Sequence, residues 1–330
     1  MPGTSCQELR KAARGLIAPL LTMTGPGRTL DERAQNALVD MVAPHVDVVF
    51  VASASTGFGP LLHTEEKMRL VELVAKRLAK QGVAKPVLAG VSGFSAEEAA
   101  AQARALRQAG AWAVAVCAPC FYPLEQEELV DFFVTVAVES GGAGVVVENA
   151  PHVTGNNLAP PAAAEVLRRV GGCFAWIECC GEREQFVELS GLMERTNLIQ
   201  GSEALLLDTL THGVSGCAPL GVNVLPLLFR EFVDRRDDLD AVEALHKEIA
   251  ALRRDVYGSP RMSQEISGAM TALQTMGIGH GPRRPFLPMV ALVNGRSAAA
   301  RIAPTLHHLR RHVPEEFRHR VPEWVPPEET

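Results

Sequence analysis

The sequence predicts a (β/α)8 barrel with a C-terminal helical extension. Three observations predict it: eight short runs are apolar and β-branched, amphipathic segments separate them, and the runs are apolar throughout rather than alternating. Continuous apolar strands between amphipathic helices indicate a parallel sheet covered on both faces, and eight repeats favour closure into a barrel over an open sheet. The runs, in order, are Leu16 to Thr22, Val46 to Ala52, Pro86 to Gly90, Ala113 to Ala118, Gly144 to Asn149, Phe174 to Cys179, Leu198 to Gly201 and Val214 to Ala218. Helical patterns fill the gaps: Leu30 to Ala43, Thr64 to Lys80, Ala96 to Ala109, Gln126 to Glu139, Pro160 to Arg169, Glu182 to Glu194 and Ala204 to Thr211. The barrel is assigned to residues 1–222, the helical extension to 223–313 and an exposed Pro-rich tail to 314–330.

Composition narrows the function classes. The chain has 330 residues, 47% hydrophobic, with a net charge of -6, which suits a sizeable buried core and shows no basic stripe for nucleic acid. No apolar run is long enough to span a membrane. Leu16 to Met23 follows Arg10, Lys11 and Arg14, but contains Pro19 and lacks a clear cleavage site, so it reads as a buried first strand. Seven cysteines without an evident signal segment point to reduced thiols in a cytoplasmic protein. Cys117, Cys120, Cys179, Cys180 and Cys217 with His152 could form a metal or redox cluster. Adjacent Cys179 and Cys180 cannot both face one centre on a regular strand, so neither a metal nor a cofactor is expected.

Several segments, in order, resemble one family. They are Gly15 to Thr22, the turn Ser55–Thr56–Gly57, Gly90 to Gly93 with Ser95 to Ala99, and Asn149–Ala150–Pro151 with Thr154–Gly155. Leu210 to Gly216, Asn223, Pro226, Gly277 to Gly279, Arg284 and Pro285 to Pro288 continue the series. The set, over roughly residues 15 to 290, resembles the dihydrodipicolinate synthase and N-acetylneuraminate lyase family. That resemblance implies a barrel that forms an imine between pyruvate and a lysine near the end of strand six, and assembles as a dimer or tetramer.

Here the chain departs from the pattern. The matching segment is Trp176–Ile177–Glu178–Cys179–Cys180–Gly181, with Ile177 at the lysine and Glu178 at the following glutamate. The lysines are Lys11, Lys67, Lys76, Lys80, Lys85 and Lys247, so strands four to eight carry none. An arginine could not replace the amine because it stays protonated. Phe121 falls at the relay tyrosine after strand four, with Tyr122 one place off, and the partner subunit's relay tyrosine has no counterpart. Glu148 replaces the tyrosine of the strand-five exit motif, Phe58 the turn's glutamate, and Val153 the carboxylate-clamping arginine of some members.

Ser55, Thr56 and Gly57 keep the small hydroxyls and amides suited to a ligand carboxylate, and the same residues make a sound turn. Glu148 is the best acid–base candidate; Glu178 either joins it or bonds a backbone group between strand and helix. Tyr122 is a further candidate, Ile177 would line the ligand, and Ser202 either touches ligand or caps the turn beginning at Glu203. Three functions are carried forward: a binder of a small carboxylated metabolite, such as a 2-oxo or sugar acid, that forms no Schiff base; a non-imine lyase, hydratase or isomerase using Glu148; and a structural subunit. A homo-oligomer without nucleic-acid or membrane partners is expected in each case.

Overall fold

The computed structural model describes residues 6–25, 29–141, 144–193, 196–258, 262–280 and 295–324. Eight parallel strands close into a barrel in chain order: β1 (Gly15–Pro19), β2 (Val48–Val51), β3 (Val87–Val91), β4 (Ala113–Cys117), β5 (Val145–Asn149), β6 (Cys173–Glu178), β7 (Asn197–Gln200) and β8 (Gly216–Cys217). The fold is a (β/α)8 barrel. Nearly every strand residue is buried, the pattern expected when helices cover one face and the barrel core the other. Ile17, Val48, Phe50, Leu88, Ala113, Ala115, Val146, Ala175, Ile177 and Ile199 fill the interior as one packed cluster, so the barrel is a core rather than a pore.

The described chain divides into two compact units, Met1–Thr22 with Val46–Pro219, and Met23–His45 with Leu220–Thr330. The first unit holds the strands with α1 (Cys6–Ala12), α3 (Thr64–Gln81), α4 (Ala96–Gln108), α5 (Gln126–Glu139), the single turn α6 (Pro151–Thr154), α7 (Pro160–Arg169), α8 (Arg183–Leu192) and the single turn α9 (Leu206–Thr209). The second holds α2 (Glu32–Val42), α10 (Pro226–Asp234), α11 (Leu239–Ala251), α12 (Met262–Thr275) and α13 (Gly295–His308). Its core gathers Phe229, Phe232, Val242, Ile249 and Leu252.

Three details depart from the sequence reading. Helix α1 was not anticipated; Leu9 and Ala13 join the barrel core, and Asn197 Nδ2 donates to the Arg10 and Ala13 carbonyls at 2.6 and 2.7 Å. The helix expected over Ala204 to Thr211 is broken into turns, because the Thr209 hydroxyl donates back to the Leu205 carbonyl at 2.7 Å and Gly213 turns the chain at φ 72°. The segment read as an exposed tail is anchored at its start: Phe317 and Val321 are buried, and Arg318 donates to the Val313 carbonyl at 2.9 Å. Arg284 and Pro285 to Pro288 lie outside the described residues.

One glycine decides the shape of the barrel mouth. A Cβ on Gly90 would overlap the carbonyl oxygen of Ala52, backbone against backbone. Neither atom can rotate away, so Gly90→Ala is expected to cost about 3 kcal/mol, read from the shift of the denaturant midpoint at unchanged slope.

Candidate active site

The C-terminal ends of β2 to β6 bring the site together, on the face where barrels carry their chemistry. After β2 the chain makes a tight turn from Ala52 to Phe58. Both ends adopt left-handed backbone angles, φ 53° at Ala52 and 58° at Phe58, which is uncommon for residues with side chains and marks stored strain. The turn is held internally: the Gly57 amide donates to Ser53 Oγ at 2.9 Å, and Thr22 Oγ1 donates to the Gly57 carbonyl at 2.6 Å. A Cβ on Gly57 would strike the Ser53 amide. Thr56 is buried in this turn and Ser55 is half-buried.

Glu148 faces into the barrel. Val146 belongs to the interior cluster, and strand alternation puts Glu148 on the same face, where it pairs across β5 and β6 with Ile177. Its carboxyl reaches the turn after β2, and the Ala54 amide donates to both oxygens at 3.0 Å. Burial pushes the Glu148 carboxyl up to about 8, against the opposing pull of the Ala54 amide and the charge of Lys67. The result is a carboxyl poised to hold or release a proton near neutral pH.

Ile177 occupies the neighbouring interior position at 1% exposure, packed into the barrel cluster. Glu178 turns the other way. Its oxygens accept from Asn149 Nδ2 at 2.9 and 3.0 Å, Trp176 Nε1 at 3.0 Å and the Cys180 amide at 2.9 Å. That set ties β5, β6 and the following loop together, and corrects its candidacy as an acid–base partner of Glu148: its bonds brace the strands from the opposite face. Tyr122 lies on the surface. Its ring is 67% exposed, edge-on to Phe121 at 4.6 Å, and Phe121 in turn meets Phe94 at 6.0 Å. Ser202 is half-buried with its amide donating to Gln200 Oε1 at 2.8 Å, and its side chain does not cap the following turn.

The thiols are quiet. Burial and the adjacent Glu148 hold Cys117 and Cys179 well above the usual thiol range, so both stay protonated and unreactive. No group of three metal-ligating side chains occurs among the described residues. His152 Nδ1 lies 3.2 Å from the Cys179 carbonyl, a loop contact.

Lys67, not a candidate on sequence grounds, belongs to the same end of the barrel. It is fully buried on α3, with Nζ donating to Ser92 Oγ at 2.8 Å and Gln102 Oε1 at 2.7 Å. Burial lowers its amine to about 8, against the charges of Cys117, Glu148 and Glu98. A signal was available: Lys67 sits three, four and seven residues before Leu70, Val71 and Val74, on the buried stripe of the helix.

The fold places an ionisable carboxyl inside the C-terminal mouth of a (β/α)8 barrel, with a strained small-residue turn facing it. The chain belongs to the dihydrodipicolinate synthetase family, whose model matches residues 12–297. It is 28% identical over 280 residues to a 4-hydroxy-tetrahydrodipicolinate synthase of Xanthomonas axonopodis pv. citri, covering 84% of this chain and 90% of that one. It is 27% identical over 214 residues to a 2-dehydro-3-deoxy-D-gluconate/2-dehydro-3-deoxy-phosphogluconate aldolase of Thermoproteus tenax, covering 64% and 66%. Among solved structures, the dihydrodipicolinate synthase of Aquifex aeolicus superposes with a TM-score of 0.80 at 20% identity, covering 91% of this chain and 99% of that one. YagE, a prophage protein of E. coli K12 solved in complex with pyruvate, superposes with a TM-score of 0.78 at 19% identity, covering 90% and 99%. No described helix is long and apolar enough to cross a membrane.

Proposed function

We propose that this family member acts on a small carboxylated metabolite, a 2-oxo or sugar acid, by proton transfer through Glu148 and without an imine on β6. The observation that carries the reading is the Glu148 carboxyl itself, buried inside the mouth and poised near 8. A carboxyl with that acidity can donate a proton to a leaving oxygen or take one from a carbon beside a carbonyl, which is lyase, hydratase or isomerase chemistry. In the turn closed by Gly57, Ser55 and Thr56 would hold the substrate carboxylate through their amides and hydroxyls, next to the acid. Ile177, beside Glu148 at the position that resembles the family's lysine, supplies shape and no amine. A second reading, binding without turnover, draws on Ile177 at the position that resembles the family's lysine, where the side chain has no amine for the family's own chemistry.

Ligand binding tests the carboxylate subsite. Pyruvate and related 2-oxo acids, screened by thermal shift, are expected to stabilise the wild-type protein, by about 2.7 kcal/mol at one hundred times Kd. Thr56→Val keeps the branched shape and removes the hydroxyl, and should abolish most of that shift. Retention of the full shift in the variant would remove Thr56 from the site.

A further inference from the structure

We infer that Lys67 is a positioning residue for Glu148: its buried ammonium is the counter-charge that sets whether the Glu148 carboxyl holds its proton. The inference rests on the proposal that Glu148 is the acid–base group.

The placement comes from four successive strand ends. The Glu148 carboxyl leaves β5 and ends at the Ala54 amide after β2. Between those two strands lie β3 and β4, and both contribute to the setting of the lysine. Cys117, at the end of β4, is the cross-strand partner of Glu148, and its thiol lies 3.5 Å from the Val91 carbonyl at the end of β3. The next residue, Ser92, takes a hydrogen bond from Lys67 Nζ. Gln102 completes the cradle. Its Oε1 accepts from both Nζ and the Ser92 amide, at 2.7 and 2.9 Å, while its Nε2 donates to Thr64 Oγ1 at 3.1 Å. The amide group is thereby locked with its oxygen towards the lysine.

Both acceptors of the ammonium are neutral, so a charge buried at this depth needs compensation from elsewhere. The charged and titratable groups around the pair are few. Glu148 is faced by Lys67 from α3, and the buried thiols of Cys117 on β4 and Cys179 after β6 also feel its charge. Lys67 is faced by Glu148, by Cys117 and by Glu98 from α4. The thiols are uncharged, and Glu98 is exposed and bonded to the Phe94 amide, where water screens it. With the Cys117 thiol protonated, Glu148 is the buried counter-charge of Lys67 whenever its carboxyl is ionised, and Lys67 is that of Glu148. Two such groups titrate as a pair: losing one charge makes the other more expensive.

A purely structural lysine, strapping α3 to the end of β3 and to α4, would also be buried and hydrogen-bonded, so the test reads charge. The Glu148 carboxyl is followed by infrared difference spectroscopy across a pH titration, with Glu148→Gln protein identifying its band. In Lys67→Met and Lys67→Gln, the second of which keeps a donor for the cradle, the midpoint is expected to rise by at least about one pH unit, tenfold in the acid constant. In Lys67→Arg, which keeps the charge, it should stay near the wild-type value or fall. Equal midpoints in wild type and both neutral variants would overturn the inference and leave Lys67 a strap. Should the neutral variants fail to fold, the reciprocal measurement remains: NMR titration of the Lys67 amine is expected to show its pKa falling in Glu148→Gln, and an unmoved value would overturn the coupling equally. Failure of the acid–base proposal shows separately, as turnover retained in Glu148→Gln, and does not alter either titration.

Discussion

Borohydride reduction in the presence of pyruvate is expected to leave the intact mass of this protein unchanged. Imine formation needs an unprotonated amine that can reach the keto carbon, because only the protonated imine supplies the electron sink for carbon–carbon chemistry. The interior position beside Glu148 holds the Ile177 side chain, sealed into the barrel cluster. Of the six lysines, Lys11, Lys76, Lys80 and Lys247 are exposed and Lys85 is half-buried. Lys67 alone is buried, and Ser92 and Gln102 hold its Nζ in a closed cradle. The outcome is all or none. A stoichiometric reduced adduct mapped to Lys67 would overturn the non-imine proposal and make that lysine a relocated nucleophile. Sparse labelling spread over the exposed lysines would be ordinary surface chemistry.

The barrel was legible in the sequence because parallel strands covered on both faces must be apolar at every position, and short-range pattern records that requirement directly. Its closure at the N-terminal end was not. Helix α1 is too short to show a clear amphipathic period, and its anchor, Asn197, lies almost the whole barrel away in sequence. The inward orientation of Glu148 follows from strand alternation once β5 is placed. Its hold on Ala54 and its coupling to Lys67 do not, since those partners are separated by 94 and 81 residues and meet only when the strands assemble. Glu178 shows the converse. Standing next to the position of the family's lysine, it looked chemical in the sequence, yet its register faces it away from the interior and its bonds make it a brace. Resemblance located the site; register decided which carboxyl belongs in it.

Glu148→Gln is the substitution expected to cost the most activity. Glutamine keeps the length and one carbonyl oxygen for the Ala54 amide, so the turn after β2 retains its anchor. It also leaves the buried Lys67 amine without its counter-charge, so the melting temperature should fall at pH values below that at which the amine gives up its proton. Activity should not survive. An acid–base group contributes roughly 10²- to 10⁴-fold to a proton-transfer step, so turnover of a 2-oxo or sugar acid substrate should fall by at least about a hundredfold. The pH profile of kcat/KM then assigns the role. Because the carboxyl titrates near 8, a general acid loses rate as pH rises through that value, while a general base gains rate over the same interval. Either limb should vanish in Glu148→Gln. Glu148→Asp separates charge from reach: the shorter carboxyl can still ionise but cannot span to Ala54 from the same backbone, so it should recover only a small part of the rate. A glutamine variant that turns over within a few-fold of wild type would return the site to the binding reading, in which Glu148 tunes affinity through its charge and moves no proton.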